Sequence, residues 1–554
     1  MFRLPAPTPS RRGFLKGAAS AGLVVGFHWP LGRLGTEAAA QAGGFAPNAF
    51  LRIAPDNSVT VICKHIEFGQ GPYTGLATIV ADELDADWAQ IRVESAPADA
   101  SRYNNLAFGQ VQGTGGSTAI GNSWDQLRQA GAEARAKLVA AAAEAWGAQA
   151  SEITVENGML RHTPSARSAS FGELAERAAR VTLTGEAKPK HPSRWRYIGK
   201  HVPKVDKREK VDCTALYTLD VRLPDMLTCV VERPDRFGAK VKSFDASEAM
   251  KIKGVVEVVA IPEGVAVLAK GFWPARKGRE ALTVEWDESG AETRSTDTIF
   301  AEYRALAKTP GKIGRNDGDV GPALAQAVRT VEAIYDFPFL AHAPMEPDDC
   351  VIRRAGDGVE LLFGSQLQTV DQSVVAQTLG LKPEQVAIKT LLAGGSFGRR
   401  ATPSGDMALE AAHVFKAMKH QGPVKVVWTR EDDIKGGRYR PVYVHRLKAG
   451  LDGKGNIVGW EHVIVGQSIL VGSPFQVMIK DEIDGTSVEG ATTLPYAIPN
   501  LRVSLHTTKV GVPVLWWRSV GSRHTAFSCE TFLDEVAVLA GMDSFYLFCW
   551  LLNG

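Results

Sequence analysis

The first regular pattern in the chain is a pair of short apolar runs, residues 51–53 and 59–63, on either side of a Pro-Asp-Asn-Ser segment. Turn-forming residues between two such runs predict a β-hairpin. Pro72 then opens a stretch whose apolar residues recur at helical spacing as far as Leu84. Because proline is favoured in the first turn of a helix, this stretch predicts a helix that begins there.

Similar patterns continue to the end of the chain, and they predict an α+β protein of several domains. A strand is predicted at 91–94, and an Ala-rich helix runs to about residue 146, with Ser123 and Gln126 as a possible capping box. Residues 188–210 are basic and contain proline, which is typical of a linker. The other predicted strands lie at 219–221, 227–232, 255–261, 265–269, 282–286, 335–340, 359–363, 386–392, 424–428, 443–450 and 457–465, and the other helices at 299–307, 371–379, 406–418 and 532–542.

Composition adds few constraints. The 554 residues are 45% hydrophobic and 22% charged, with a net charge of +2, so nothing indicates a nucleic-acid partner. None of the six cysteines stands in C-x-x-C spacing, which excludes the usual zinc and iron–sulfur motifs. We interpret them as buried thiols; a disulfide is the alternative if the protein is exported.

The N-terminus predicts export. Residues 10–16 read Ser-Arg-Arg-Gly-Phe-Leu-Lys, ahead of a mildly apolar run at 17–29 and small residues at 38–42. This resembles a twin-arginine signal, which directs folded proteins to the periplasm. The alternative is an arginine pair ahead of a membrane anchor, but the apolar run is too short to span a bilayer. We expect residues 1–42 to be a signal peptide.

The chemistry centres on the glycine-rich segment 393–400, Ala-Gly-Gly-Ser-Phe-Gly-Arg-Arg, which follows a predicted buried strand. Successive free N–H groups in such a turn form a nest for anionic oxygens, and arginine forks suit phosphate. No Gly-Lys-Ser/Thr follows, so it is not a Walker A loop. Alone, the segment indicates only a turn. Five others offer backbone N–H groups or neutral amides: 67–71, 114–117, 342–347, 365–368 and 516–521. Together they favour a large anionic cofactor held by hydrogen bonds, and no metal ligated directly by protein.

Four of these motifs, Glu-x-Gly-Gln-Gly, Gly-Gly-Ser-Phe-Gly-Arg-Arg, Pro-Met-Glu-Pro and Trp-Arg-Ser-Val-Gly, resemble the molybdopterin-binding subunit of the xanthine oxidase family of molybdenum hydroxylases. Their order is most similar to the permuted, periplasmic branch typified by the isoquinoline 1-oxidoreductase beta subunit. The resemblance runs from about residue 45 to about residue 539. It implies a multi-domain molybdopterin-binding fold: binding regions at 43–187 and 301–554, the second incomplete, and a small hammerhead-like α+β domain at 188–300.

The resemblance also implies roles for matching residues. Gln366 resembles the glutamine that hydrogen-bonds an oxo ligand of molybdenum, and Arg518 the arginine near the substrate pocket. The cofactor-binding residues implied are Gln70, Gly71, Gly113, Thr114, Gly115, Gly116, Ser117, Thr118, Gly395, Ser396, Phe397, Gly398 and Arg399. Taken alone, Gln366 and Arg518 would be ordinary surface residues. We interpret Glu346 as either buried and paired or part of a turn, and His342 and His524 as structural.

The implied activity is hydroxylation of N-heteroaromatics or oxidation of aldehydes, with water as the oxygen source. The cofactor would be molybdopterin with molybdenum, in its cytosine dinucleotide form. The partners would be a small [2Fe–2S] subunit that carries electrons away, a cytochrome c as one candidate acceptor, and a small-molecule substrate.

The family's glutamate base stands in a late Gly-x-Gly-Glu segment, and the 554 residues contain none. Residues 543–554 also depart from the family pattern, so we expect a C-terminally truncated chain. Two alternatives remain: a truncated, inactive homologue that keeps only cofactor or assembly contacts, and a secreted binding protein without catalysis.

Overall fold

The computed structural model describes residues 23–26 and 49–553. The twin-arginine motif at 10–16 lies outside the described residues. The helices and strands form three larger units, each built on one sheet, and the residues of the predicted site lie where these units meet.

The first unit is a four-stranded sheet covered by two helices. The predicted hairpin is confirmed, since Leu51 pairs antiparallel with Val61. The helices are Pro72–Leu84 and Trp124–Trp146, and both contribute to one apolar core with the sheet. The strands, in sheet order, are Leu23–Gly26, Ala49–Ile53, Val59–Cys63 and Ile91–Ser95. A meander of Ile153–Glu156, Met159–His162 and Arg167–Ser170 and the helix Phe171–Ala179 complete the unit.

The second unit is a seven-stranded mixed sheet, and it joins two regions that the sequence had divided at residue 300. Three of its strands precede that position and four follow it. In sheet order they are Val255–Ile261, Gly264–Ala269, Leu227–Glu232, Val424–Val427, Asp349–Ala355, Gly358–Phe363 and Val386–Thr390. Helices Gln368–Leu379 and Asp406–Ala417 share its core. The segment 188–300 thus contributes three strands to this shared sheet and also contains a two-stranded ribbon of its own, Lys240–Asp245 with Thr283–Asp287.

The third unit is a five-stranded sheet with a long helix, Ser522–Ala540, packed on it. The hairpin predicted around residues 452–456 is confirmed by the pairing of Tyr443–Leu451 with Ile457–Gln467. The sheet order is Lys312–Asp317, Leu501–Thr508, Ile457–Gln467, Tyr443–Leu451 and Arg329–Phe337. Helix Ser544–Asn553 follows the long helix.

The remaining elements are short. Two-stranded ribbons pair Lys240–Asp245 with Thr283–Asp287 and Leu340–Ala341 with Tyr439–Arg440. The other α-helices are Ala100–Tyr103, Lys207–Val211, Ser247–Lys251, Phe272–Glu280, Thr296–Leu306, Val320–Ala325, Arg430–Lys435 and Gly485–Val488. The 3-10 helices are Trp88–Gln90, Gly121–Ser123, Ala150–Glu152, Thr163–Ser165, Pro192–Arg194, Thr218–Asp220, Pro383–Gln385 and Pro474–Met478.

Three predictions need correction. Residues 219 and 220 belong to the 3-10 helix Thr218–Asp220 and not to a strand, and the N–H of Val221, which follows the helix, donates to the Thr218 carbonyl. The Ser123 side chain does not cap the helix that follows it. The supposed linker 188–210 is anchored, because Lys190 is buried with its ammonium 2.7 Å from Asp85 and 3.1 Å from Asp82. A buried, doubly paired lysine attaches this segment to the first unit.

None of the six cysteines, all of which lie in the described part of the chain, forms a disulfide. Four are buried, Cys549 is half-buried and Cys213 is exposed, which agrees with the buried-thiol interpretation for most of them. In the described part of the chain no single helix is both long and apolar enough to cross a membrane. Ser522–Ala540 and Ser544–Leu552 meet that requirement only as a pair, which is bent by 107°.

Candidate functional site

The glycine-rich loop leaves the edge strand Val386–Thr390 of the seven-stranded sheet. Two features of position 398, its backbone conformation and its close neighbour, both require glycine. Its φ is +111°, and a Cβ there would lie 2.3 Å from the carbonyl oxygen of Trp516. The loop is therefore pressed against the Trp-Trp-Arg segment of the third unit, and only glycine permits that approach.

Gln366 joins the loop to the front of the chain. The Ser396 hydroxyl donates to Gln366 Oε1 at 2.5 Å, and Gln366 Nε2 donates to the Thr114 carbonyl at 2.7 Å. The Thr114 N–H in turn donates to the Gln366 carbonyl at 3.0 Å. Gly113 makes this approach possible, since a Cβ there would be 2.5 Å from Leu367. Gln366 is buried, so the structure excludes the surface-amide interpretation.

Two glutamates brace the start of the loop. The Ala393 N–H donates to the Glu67 carbonyl at 3.2 Å, which brings in the Glu-x-Gly-Gln-Gly motif. The Gly394 N–H donates to the Glu346 carboxylate at 2.8 Å, and the Arg400 guanidinium lies 3.1 Å from the same oxygen. Glu346 is thus buried and paired, which was one of its two predicted interpretations.

The loop and the Thr114 turn each present three consecutive N–H groups that donate to no acceptor within the described residues. In the loop they belong to Gly395, Ser396 and Phe397, and in the turn to Gly115, Gly116 and Ser117. Phe397 and Ser117 hold φ values of 56° and 57°, in the left-handed region that side chains rarely adopt. Strained backbone with free donors is the form of an anion-binding nest. The residues present therefore fit an anionic cofactor.

Other predicted contacts are already used inside the protein. Gln70 is exposed, but its amide accepts from the Phe68 N–H and donates to the Ile66 carbonyl, both at 2.9 Å. The Gly71 N–H donates to Glu67 at 3.3 Å. Thr118 closes the Gly115 turn through its hydroxyl at 2.8 Å. The roles of Gln70 and Gly71 toward a cofactor stay predictions.

Arg399 has a role that the sequence did not suggest. It is buried, and its guanidinium pairs with Asp348 and, at 3.0 Å, with Asp406. A contact to phosphate would require it to leave those carboxylates. Burial opposes ionisation of Asp406, but Arg399 and Arg438 outweigh it and lower the pKa of that carboxyl. Arg399 and Arg400, the two arginines of the motif, thus anchor the loop through ion pairs inside the protein.

The arginine segment of the third unit touches the loop through its backbone. The Arg518 N–H donates to the Phe397 carbonyl at 2.8 Å, while the Arg518 side chain is exposed and forms no ion pair with a described carboxylate. Ser519 and Val520 hold φ values of 71° and 45°. For a β-branched residue this conformation is strained, and such strain persists only where packing imposes it. Arg518 is thus placed at the loop with its guanidinium free.

The histidines near the site are buried within the structure. The His342 ring contacts the Trp516 carbonyl at 2.9 Å and the Arg438 carbonyl at 3.1 Å, and burial lowers its pKa to about 4. His524 stacks on Tyr443 with ring centres 3.9 Å apart. Across the described ranges, no group of three or more His, Cys, Asp and Glu side chains is arranged to hold a metal ion.

Sequence reasoning did not single out Arg523, which lines a small cavity together with Trp516, or Arg440, whose charge acts on Arg523. Neither stands in a recognisable motif. One signal was available: Arg523 lies in the first turn of the helix Ser522–Ala540, where the helix dipole disfavours a cation. A cation at that position suggests a role other than helix stability.

Two segments of the chain, residues 11–217 and 306–547, match a domain family described as "Molybdopterin cofactor-binding domain". The isoquinoline 1-oxidoreductase subunit beta of Brevundimonas diminuta is 32% identical over 95% of this chain and 73% of its own length. A protein of Gluconacetobacter polyoxogenes named membrane-bound aldehyde dehydrogenase [pyrroloquinoline-quinone] is 30% identical over 95% of this chain and 70% of its own length.

Among solved structures, the aldehyde oxidoreductase from Desulfovibrio desulfuricans ATCC 27774 matches with a TM-score of 0.50. The match covers 63% of this chain and 43% of that chain at 19% identity, so it concerns the fold alone. The predicted α+β, multi-domain molybdopterin-binding fold is confirmed. From the two domain matches and the extent of the sequence identity, the chain belongs to the xanthine oxidase family of molybdenum hydroxylases, as a molybdopterin-binding oxidoreductase subunit.

Proposed function

We propose that this chain is the cofactor-binding large subunit of an exported hydroxylase or dehydrogenase that oxidises N-heteroaromatic compounds or aldehydes, with water as the oxygen source. The observation that carries the proposal is the double attachment of Gln366. It holds the Thr114 turn and the Ser396 loop together, and each of these presents three free N–H groups. Two such nests, joined by one side chain, suit the oxygens of a molybdopterin, which supplies the redox chemistry when it is bound.

This chain's own contribution is binding and orientation. Gly395, Ser396 and Phe397 would hold the cofactor on one side, and Gly115, Gly116 and Ser117 on the other. Gln366 sets their separation. Arg518 offers an unpaired guanidinium to a substrate at the edge of the loop. The general base that the resemblance implies, a glutamate in a Gly-x-Gly-Glu segment, is not among the 554 residues.

The proposal extends to partners and location. The relative from Brevundimonas diminuta is named as a beta subunit, which supports a separate small subunit carrying [2Fe–2S] clusters. The cytosine dinucleotide form of the cofactor and a cytochrome c acceptor are parts of the same proposal. The Ser-Arg-Arg-Gly-Phe-Leu-Lys segment supports export to the periplasm by the twin-arginine route.

The test is cofactor analysis of protein expressed with its N-terminal segment and recovered from the periplasm. We expect about one molybdenum and one molybdopterin per chain, and dye reduction with isoquinoline or benzaldehyde once the small subunit is present. Molybdenum without turnover would favour the inactive homologue. Absence of both metal and pterin would favour a binding protein, and recovery of pyrroloquinoline quinone would favour the cofactor named for the second relative.

A further inference from the structure

A surface loop, residues 471–482, lies between the strand Ile457–Gln467 and the helix Gly485–Val488 of the third unit. The base of the loop is fixed, because the Ser468 hydroxyl donates to the Asp484 carboxylate at 2.5 Å and both residues are buried. A loop of this length whose ends are held together is an Ω-loop, a form that is frequently functional.

The body of this loop is weakly attached to the rest of the protein. The hydrogen bonds that the structure gives residues 471–482 stay within 468–483. Among the described residues, its one ion pair joins Glu482 to Lys312 at 2.8 Å, and both of those side chains are more than half exposed. Exposed ion pairs contribute little to stability. Val477, in the middle of the loop, is 88% exposed.

Phe475 is the exception, because its ring contacts aromatic rings of two different units. Its ring centre lies 6.5 Å from that of Phe108 in the first unit and 5.6 Å from that of Trp516 in the third. Both pairs have the edge-to-face arrangement that aromatic rings favour. The loop is therefore held down at one side chain.

The two partners of Phe475 flank the two nests. A Cβ on Gly115, which carries one of the free N–H groups of the first nest, would lie 3.3 Å from the Phe108 ring. A Cβ on Gly398, the residue after the second nest, would lie 3.2 Å from the Trp516 ring. Phe475 thus connects the flank of one nest with the flank of the other.

Two links therefore join the nests, and they differ in burial. Gln366 is 4% exposed and joins Thr114 to Ser396 inside the protein. Phe475 joins the flanks from a loop whose body is exposed, which is the solvent side. A group held by both nests would lie between an inner and an outer link, and the loop would stand over its way out.

The loop also has the backbone features of hinges near its ends. Gly472 has a φ of +76° and open space around the position of a Cβ. Asp481 and Glu482 hold consecutive φ values of 49° and 65°, which are uncommon for residues with side chains. Backbone strain of this kind is concentrated in ligand clamps and switch regions. The segment between these points can move as a unit.

We propose that residues 471–482 form a lid over the two nests, and that Phe475 latches the lid through its contacts with Phe108 and Trp516. Loops that close over a ligand retain it and exclude water. In taking a molybdopterin as the group under the lid, the inference rests on the proposed function and adds the element that controls access to the site. Phe475 is a positioning residue, since it acts on the nests through its two aromatic partners.

Limited trypsin proteolysis of the full chain measures opening, because Lys480 is an exposed trypsin site within the loop. Phe475→Ala should speed cleavage after Lys480 at least about fivefold, since two ring contacts of ordinary strength are lost. Phe475→Tyr keeps the ring and should restore slow cleavage. Val477→Ala, at an exposed position of the same loop, is the matched control and should be cleaved at the parent rate. Unchanged cleavage in Phe475→Ala would overturn the latch.

A second variant separates a latch from a general loosening of the protein. Phe108→Ala should also speed cleavage after Lys480, and combining it with Phe475→Ala should add nothing, because both changes remove the same contact. Effects that multiply would show that the two rings act independently, and the latch would be wrong. Faster cleavage at sites throughout the chain, with a lower melting temperature, would show that Phe475 is structural and would also overturn the inference.

Release of the cofactor tests the lid itself. Molybdenum-loaded protein is diluted, and the pterin that passes an ultrafiltration membrane is measured over time. We expect faster release from Phe475→Ala, by a factor similar to that for cleavage, and the parent rate from Val477→Ala. Protein that holds molybdenum but releases pterin equally fast with and without the Phe475 ring would keep the proposed function and overturn the lid. Protein purified without molybdenum and pterin would overturn the proposed function, and the lid over a cofactor with it, even where cleavage shows the latch.

Discussion

The Ser396 hydroxyl and the Gln366 side chain form a buried hydrogen bond of 2.5 Å, and the other end of the same amide reaches the Thr114 carbonyl at 2.7 Å. One side chain therefore sets the distance between the two nests of the candidate cofactor site.

Gln366→Ala should destabilise the protein by about 1–3 kcal/mol, the usual cost of leaving a buried polar group unsatisfied. It should also lower the molybdenum content of the purified protein, because the Thr114 turn loses its attachment to the loop. Urea unfolding and metal analysis measure the two effects. Gln421→Ala, at an exposed glutamine, is the control and should change neither. Unchanged stability in Gln366→Ala would show that the amide does not join the two segments.

Gly398→Ala should be strongly destabilising, by about 2–6 kcal/mol, because it combines a left-handed φ with a collision. The added Cβ would lie 2.3 Å from the Trp516 carbonyl. The midpoint of denaturant unfolding is the measurement. Gly185→Ala has open space around its Cβ and serves as the control. If both variants unfold at the same denaturant concentration, the loop does not press on the Trp516 segment.

Asp371 should make stability depend on pH. Burial raises the pKa of this carboxyl to about 8, against the opposing effect of the Ser365 hydroxyl that donates to it at 2.6 Å. In the unfolded chain the carboxyl of Asp371 titrates near pH 4. Between about pH 4 and pH 8 the folded state therefore holds a proton on this group that the unfolded state has lost. The contribution of Asp371 to the free energy of unfolding is therefore fully present below pH 4. It is lost as the pH rises to 8, at up to about 1.4 kcal/mol per pH unit.

Asp371→Asn mimics the protonated acid and should remove that slope. The measurement is the difference in unfolding free energy between the variant and the parent chain at several values of pH. The variant should gain relative stability toward pH 8. A difference that is independent of pH would contradict a raised pKa at Asp371.

We expect Arg399→Gln to lower the stability of the protein, and Arg518→Gln to leave stability nearly unchanged. The first leaves Asp348 and Asp406 buried without their partner, and should cost about 3–5 kcal/mol. The second removes an exposed side chain and should change stability by less than about 0.5 kcal/mol. If the proposed function holds, Arg518→Gln should nevertheless raise the KM for substrate. Equal loss of stability in both would show that the guanidinium of Arg518 is not free.

Much of the secondary structure could be predicted because its signals are local. The turn chemistry at residues 55–58, the proline at position 72 and the glycine at position 380 each act on their neighbours in sequence, and the elements appear where they were predicted. The motif residues around 114, 366 and 396 could also be selected from the chain, because glycine and amide groups in a family pattern indicate the chemistry they serve.

The short motifs indicate the kind of site, a cofactor site lined by backbone groups and without metal-ligating thiolates. Which groups meet in that site depends on the folded chain. Thr114 and Gln366 are 252 residues apart, and their hydrogen bond depends on how the units of the fold pack. The same packing places Arg399 on carboxylates and leaves Arg523 without one. Ion pairing and burial are set by distances in space, which no periodicity along a chain encodes.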